Sequence, residues 1–167
     1  MSVYQSPSRA LIASAVLMSA IVASATVFAC NSNDNLFVQA PVTFSTTMNG
    51  AGENPPKNVP GVGTVTIVKS AGVYTFTINF SGMTGPLTGA HIHGPAGVGV
   101  NAAVIVPFNT AGAGTSGTLT GTFTGTNTPT ISPDSLDVLM TNGNAYVNLH
   151  TAQNPGGEIR GQLLRQQ

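Results

Sequence analysis

The sequence predicts an all-β protein, an antiparallel β-sandwich or flattened Greek-key barrel with one short helix. Several segments alternate apolar and polar residues with the two-residue period of a strand. Glycine, proline and asparagine separate these segments, as is typical of all-β domains. A single segment, residues 132–140, instead has the features of a helix. The chain is long enough for one domain with a substantial core.

The predicted strands follow from this alternation. Residues 62–68 and 73–80 alternate clearly, and the Lys-Ser-Ala-Gly segment between them suits a hairpin turn. Residues 102–108 form a short apolar run, which is typical of a buried strand. The other predicted strands are 42–45, 115–124, 144–150 and 158–164, together with the strand that carries His91 and His93.

The one predicted helix begins after Ser132, a residue type that caps helix N-termini. Pro133 then occupies the first helical position, where its missing N–H costs nothing. Asp134 favours the positive end of the helix dipole, and Gly143 is a suitable terminator. The apolar residues that share one side are Leu136, Leu139 and Met140.

The N-terminus predicts export. Arg9 closes a short polar segment, and an apolar stretch follows over residues 10–29. We predict a signal peptide at 1–29, with small residues before the cleavage point. Cys30, the only cysteine, would then be the first mature residue, as in a bacterial lipobox, where this cysteine is lipidated. Secretion without lipidation, or an uncleaved membrane anchor, are the alternatives, and all three place the mature domain outside the cytoplasm.

We predict that residues 30–41 form a flexible tether and residues 42–167 the folded domain. Because the chain has one cysteine, no internal disulfide can form. Net charge is zero and 6% of the residues are charged, which suits an envelope, matrix or filament protein. The five cations are scattered, so a nucleic-acid-binding patch is not expected.

All three histidines of the chain lie in two short strand-like motifs, His91 and His93 in one and His150 in the other. Residues two apart in a strand point to the same face, so His91 and His93 should project together while Ile92 faces the core. Two imidazoles on one strand and a third on a neighbour can hold a copper or zinc ion. The same imidazoles can instead tie loops to backbone carbonyls, and the sequence leaves both alternatives open.

Few other residues suggest chemistry. A metal-binding histidine needs an outer hydrogen-bond acceptor, for which Glu158 and Asn148 are the candidates. Glu158 and Arg160 lie two apart on one predicted strand face, where they could form an acid and guanidinium pair in a cleft. We expect instead a surface ion pair worth at most about 1 kcal/mol. For Glu53, in a Gly/Pro loop, we expect hydrogen bonds from backbone N–H groups.

The sequence lacks the usual signatures of a catalytic centre. It contains no Gly-x-Ser-x-Gly elbow and no glycine-rich phosphate loop before a helix. Its carboxylates are too few and too far apart to nominate a glycosidase pair. This pattern favours a non-enzymatic protein without deciding the question.

Five motifs, in this order, resemble the chordin-type (CHRD) domain. They are MNGAGENPP at 48–56, GTVT at 63–66, GAHIHGPA at 89–96, NAYVNLHT at 144–151 and PGGEIRGQL at 155–163. One departure is Asn54, where the family usually has an apolar residue. The resemblance implies a secreted or anchored module of largely unknown role in bacteria and archaea. In animals the domain is a repeat in an extracellular antagonist of growth-factor signalling, and that role is not carried over.

A weaker resemblance is to Cu/Zn superoxide dismutase, which also has a His-x-His strand and a later histidine on a β-sandwich. It implies that His91, His93 and His150 form a simpler site that holds a single copper ion. The chain lacks the zinc ligands and the disulfide cysteines of that family.

Three functions are consistent with the sequence. The first is an exported, membrane-anchored module that binds an extracellular protein or matrix partner or has a structural role. The second is a copper- or zinc-binding protein. The third is a self-assembling envelope or filament subunit, because Thr-rich strands of low charge favour pairing of open sheet edges.

Overall fold

The structure is a computed structural model that describes residues 39–125 and 131–167. The predicted signal peptide, Cys30 and most of the predicted tether lie outside these ranges. Among the described residues, no helix combines the length and the apolar character needed to cross a bilayer.

The prediction of an all-β fold with one short helix is confirmed. The strands form one curled antiparallel sheet in the order β5-β4-β7-β8-β1-β2-β3-β6, with β9 paired to β1. The strands are β1 (Val42–Asn49), β2 (Val62–Ser70), β3 (Val73–Ser81), β4 (Leu87–His93), β5 (Val104–Pro107), β6 (Gly117–Phe123), β7 (Tyr146–Thr151), β8 (Ile159–Gln162) and β9 (Leu164–Arg165). A 3-10 helix (Gly50–Gly52) follows β1, and α1 (Pro133–Thr141) lies between β6 and β7.

The predicted hairpin joins β2 and β3. Ser70 pairs with Val73, so the connecting loop has two residues. Those residues, Ala71 and Gly72, have φ values of 48° and 79°. Positive φ at both central positions is the geometry that matches the twist of a two-stranded ribbon.

Helix α1 begins as predicted. The Ser132 side chain accepts a hydrogen bond from the backbone N–H of Ser135. Leu136 and Met140 are fully buried and add to the core. On the same helix, Asp137 accepts hydrogen bonds from Tyr74 of β3 and Lys69 of β2, which fastens the helix to the sheet.

The alternation of β4, β7 and β8 creates two different faces. Ala90, Ile92, Val147, Leu149 and Ile159 are fully buried in the apolar core. The residues between them project to the opposite face, because neighbouring residues in a strand alternate sides. We call this second surface the polar face; it consists of His91, His93, Tyr146, Asn148, His150, Arg160 and Gln162.

The pairing of β4 with β7 and of β7 with β8 places the residues of the polar face side by side. His93 lies opposite Tyr146, and His91 lies opposite Asn148. Asn148 in turn lies opposite Arg160 of β8. The loop between β4 and β5 covers part of this face, because Gln162 donates a 2.7 Å hydrogen bond to the carbonyl of Ala96. The polar face is therefore an inner layer beneath loops.

Candidate metal centre

The three histidines converge on one patch. Nδ1 of His91 lies 3.1 Å from Nε2 of His150. The ring centroids of His91 and His93 are 5.5 Å apart, and those of His93 and His150 are 6.2 Å apart. One nitrogen from each of the three rings lies within 4.8 Å of the others. The structure therefore brings together the residues that the sequence nominated as metal ligands.

Backbone carbonyls fix the protons on two of these rings. Nδ1 of His93 donates to the carbonyl of Ala102 at 2.9 Å, and Nδ1 of His150 donates to the carbonyl of Pro155 at 3.0 Å. A carbonyl oxygen can only accept, so in each neutral ring Nδ1 carries the proton and Nε2 carries a lone pair. Carbonyls in this position are typical outer partners of metal-binding histidines.

Nε2 of His93 is buried and has no hydrogen-bond partner. Buried acceptors in folded proteins are rarely left unpaired, because the lost hydration costs free energy. His150 has its lone pair on Nε2 as well, where it accepts a 3.1 Å hydrogen bond from Nδ1 of His91, and Oδ1 of Asn148 lies 2.9 Å from the same atom. Three acceptor atoms from His93, His150 and Asn148 thus face one small region.

The environment keeps the imidazoles neutral. Burial lowers the pKa of His91 to about 4, with His150 and His93 adding to the effect. The pKa values of His93 and His150 are lowered as well, in both cases chiefly by burial. Metal ions bind the neutral form of imidazole, so the rings are in the binding form at neutral pH.

A stack of three side chains supports His93. Its ring lies parallel to Tyr146, with centroids 4.9 Å apart. The guanidinium carbon of Arg160 lies 3.4 Å from the centre of the Tyr146 ring. The Tyr146 hydroxyl accepts a 3.2 Å hydrogen bond from the N–H of Ala102, whose carbonyl holds His93. The stack and the loop therefore hold the ring of His93 in place.

The expectation of a surface ion pair between Glu158 and Arg160 is wrong. Both residues are buried, with exposures of 0% and 3%, and no ion pair joins them. Arg160 instead donates to Asn101 and to the carbonyls of Gly97 and Val100 in the covering loop. The loop between β4 and β5 buries Arg160, and the alternation of residues in a strand cannot predict such a covering loop.

Glu158 does not contact the histidines, although it was a candidate for their outer acceptor. It precedes β8, and its carboxylate accepts hydrogen bonds from Thr84, Thr151 and Asn154. These bonds lower its pKa against the effect of burial. Glu158 is therefore held in a separate network that joins the chain after β3 to the turn after β7.

Glu53 is the buried acid whose surroundings the sequence did not predict in full. It is 5% exposed, and its Oε1 has no hydrogen-bond partner. A backbone hydrogen bond from Asn54 matches the expectation, yet burial still raises the pKa of Glu53 to about 7. Its position over the polar face depends on the 3-10 helix, which the Asn49 side chain caps, and on the loop that follows it.

Comparison with known protein families agrees with the motifs. The family model described as CHRD domain matches residues 44–163, most of the chain. No curated protein and no solved structure matches it. The chain therefore belongs to the CHRD domain family.

Proposed function

We propose that this protein is an exported CHRD module that binds a copper or zinc ion through His91, His93 and His150. The observation that carries the proposal is the convergence of the three imidazoles around the unpartnered Nε2 of His93. Two of the rings present Nε2 because their Nδ1 protons are committed to backbone carbonyls. Copper and zinc are the ions that imidazole ligands suit best.

The spacing of the nitrogens is compatible with one ion. A tetrahedral site with bonds of about 2.0 Å has ligand nitrogens about 3.3 Å apart. Nδ1 of His91 and Nε2 of His150 are already 3.1 Å apart, and the proton between them moves from Nδ1 to Nε2 of His91 when Nδ1 binds the ion. The largest separation in the cluster is 4.8 Å, so the third ring needs a movement of about 1.5 Å, within the reach of side-chain rotation.

Titration of the purified protein with Zn²⁺, and anaerobically with Cu⁺, tests the proposal. Cys30→Ser serves as the parent, because a free thiol would itself bind both ions. We expect one ion per chain and a loss of at least tenfold in affinity in His91→Gln and in His93→Gln. Gln153→Ala, an exposed position in the turn after His150, is the matched control and should bind like the parent.

Two outcomes contradict the proposal. The first is a parent protein that binds neither ion at micromolar concentration. The second is stoichiometric binding that survives replacement of both His91 and His93 by alanine. Either result would return the histidines to a purely structural role, in which they fasten the loops at Ala102 and Pro155.

Export and anchoring are the second part of the proposal. They are supported by the signal-like pattern of residues 1–29, by Cys30 at the expected first mature position, and by a family of extracellular modules. Metabolic labelling with a fatty-acid analogue tests the anchor. We expect label in the wild-type chain and none in Cys30→Ser; an unlabelled wild type whose N-terminus is Cys30 would indicate simple secretion.

A specific feature of the sheet favours self-assembly as a second candidate function. Strand β6 ends the sheet order, and its residues pair with β3 along one side without a register shift. The strand contains no charged residue and no proline, the usual protection of an edge. Light scattering of the protein from dilute to high concentration is the test, and a stable monomer throughout would refute this candidate.

A further inference from the structure

The described part of the chain contains four carboxylate side chains, and three have assigned partners or lie in solvent. Asp134 is exposed on α1. Asp137 binds Tyr74 and Lys69, and Glu158 has its own set of donors. Glu53 alone is buried with an oxygen that has no hydrogen-bond partner. A buried carboxylate in this state is costly for the fold.

The Glu53 carboxyl group meets the Asn148 side chain at Gly157. A Cβ atom placed on Gly157 would lie 2.5 Å from Oε1 of Glu53 and 2.7 Å from Nδ2 of Asn148. Gly157 has a φ of +121°, a conformation that other residues rarely adopt. Both groups thus lie against the space that a side chain at residue 157 would fill, and no hydrogen bond joins them in this structure.

The orientation of Asn148 links Glu53 to the histidines. Asn148 is 3% exposed, and its Nδ2 lies on the side of Gly157 and Glu53. Its Oδ1 points the other way and lies 2.9 Å from Nε2 of His150. Because the Nδ1 proton of His150 is committed to Pro155, Oδ1 and Nε2 are both acceptors. His150 therefore cannot donate to the amide oxygen of Asn148, and a cation near both acceptor atoms would satisfy them together.

The charges on the polar face favour a carboxylate, that of Glu53, behind the amide of Asn148. The three imidazoles bring no negative charge, and the guanidinium of Arg160 lies in the same layer. Glu53 interacts favourably with Arg160 and with Lys57, but no ion pair forms with either. A dication bound by neutral ligands is stabilised by a carboxylate in the outer shell.

We propose that Glu53 and Asn148 complete the metal site: when the ion is bound, Asn148 presents its amide oxygen to it, and Glu53 accepts a hydrogen bond from Nδ2 of that amide and supplies negative charge from behind. This inference rests on the proposed function. Glu53 acts through Asn148 and is a positioning residue. The site is thus built from the 3-10 helix loop as well as from β4 and β7.

Competition with a chromophoric chelator, using Zn²⁺ and Co²⁺ on the Cys30→Ser parent, tests this inference. We expect Glu53→Gln and Asn148→Ala each to weaken binding by about 10- to 100-fold. The double variant should be no weaker than Asn148→Ala alone, because Glu53 acts through the amide. The visible spectrum of bound Co²⁺ should change in Asn148→Ala, a readout that a merely structural role would leave alone.

Asp134→Asn removes an exposed carboxylate and is the matched control, expected to bind like the parent. A second variant guards against misfolding: Asn148→Asp in the Glu53→Gln background moves the carboxylate one step toward the ion and should restore binding. Parent-like affinity and Co²⁺ spectrum in both Glu53→Gln and Asn148→Ala would overturn the inference while leaving the histidine site intact. A parent that binds no metal would instead overturn the proposed function.

Discussion

Glu53→Gln in the metal-free protein should change the pH dependence of stability. Glu53 is 5% exposed, and one of its carboxylate oxygens has no hydrogen-bond partner. Burial raises its pKa from 4.5 to about 7, although Arg160 and Lys57 oppose the change. The folded state therefore holds this proton more tightly than the unfolded state does.

The sign and size of the effect follow from this difference. The stability gained from the protonated carboxyl is fully present below pH 4.5 and is lost as the pH rises through about 7. The pKa of Glu53 rises from 4.5 to about 7 on folding, and each pKa unit is worth about 1.4 kcal/mol. The free energy of unfolding therefore changes by about 3 kcal/mol. Glutamine has the shape of the protonated acid and cannot ionise, so the variant avoids this loss.

Urea unfolding of both proteins at about pH 5 and about pH 8.5, with a chelator present, measures the effect. Between these pH values, the free energy of unfolding of the wild type should fall by about 2–3 kcal/mol relative to that of Glu53→Gln. Gln153→Ala, which removes no ionisable group from an exposed position, should show no such change relative to the wild type. A difference between Glu53→Gln and the wild type that is the same at both pH values would refute the reasoning, because it would mean that Glu53 ionises alike in both states.

Two further predictions concern stability at neutral pH, each measured by urea or thermal unfolding. Gly157→Ala should lower the free energy of unfolding by about 1–3 kcal/mol. Residue 157 has a φ of +121°, and the new Cβ would lie 2.5 Å from Oε1 of Glu53. A variant as stable as the wild type would contradict this prediction. Asp137→Ala should cost about 1–3 kcal/mol by leaving the buried hydroxyl of Tyr74 without its acceptor. If Tyr74→Phe in that background restores nothing, the hydroxyl is not the cause.

Much of the fold could be predicted from local pattern. The alternation in residues 62–80 predicted a hairpin, and the structure has one with the expected turn. Ser132 and the residues after it predicted the helix, which begins there. Strand alternation also predicted that His91 and His93 share a face, with Ile92 in the core. These features depend on the two-residue period and on caps, which act between near neighbours.

Other features depended on contacts between distant parts of the chain. The loop after β4 buries Arg160 and holds His93, and the loop after the 3-10 helix buries Glu53. The ion pair expected for Glu158 and Arg160 was wrong because Glu158 lies before β8 and binds Thr84, Thr151 and Asn154, while Arg160 lies in the strand and binds the loop after β4. The sequence by itself determined the strands, the helix and the grouping of the histidines. Only the tertiary structure decided how close their nitrogens lie and which acid is buried beside them, because loop packing and strand order bring together residues that are far apart in the chain.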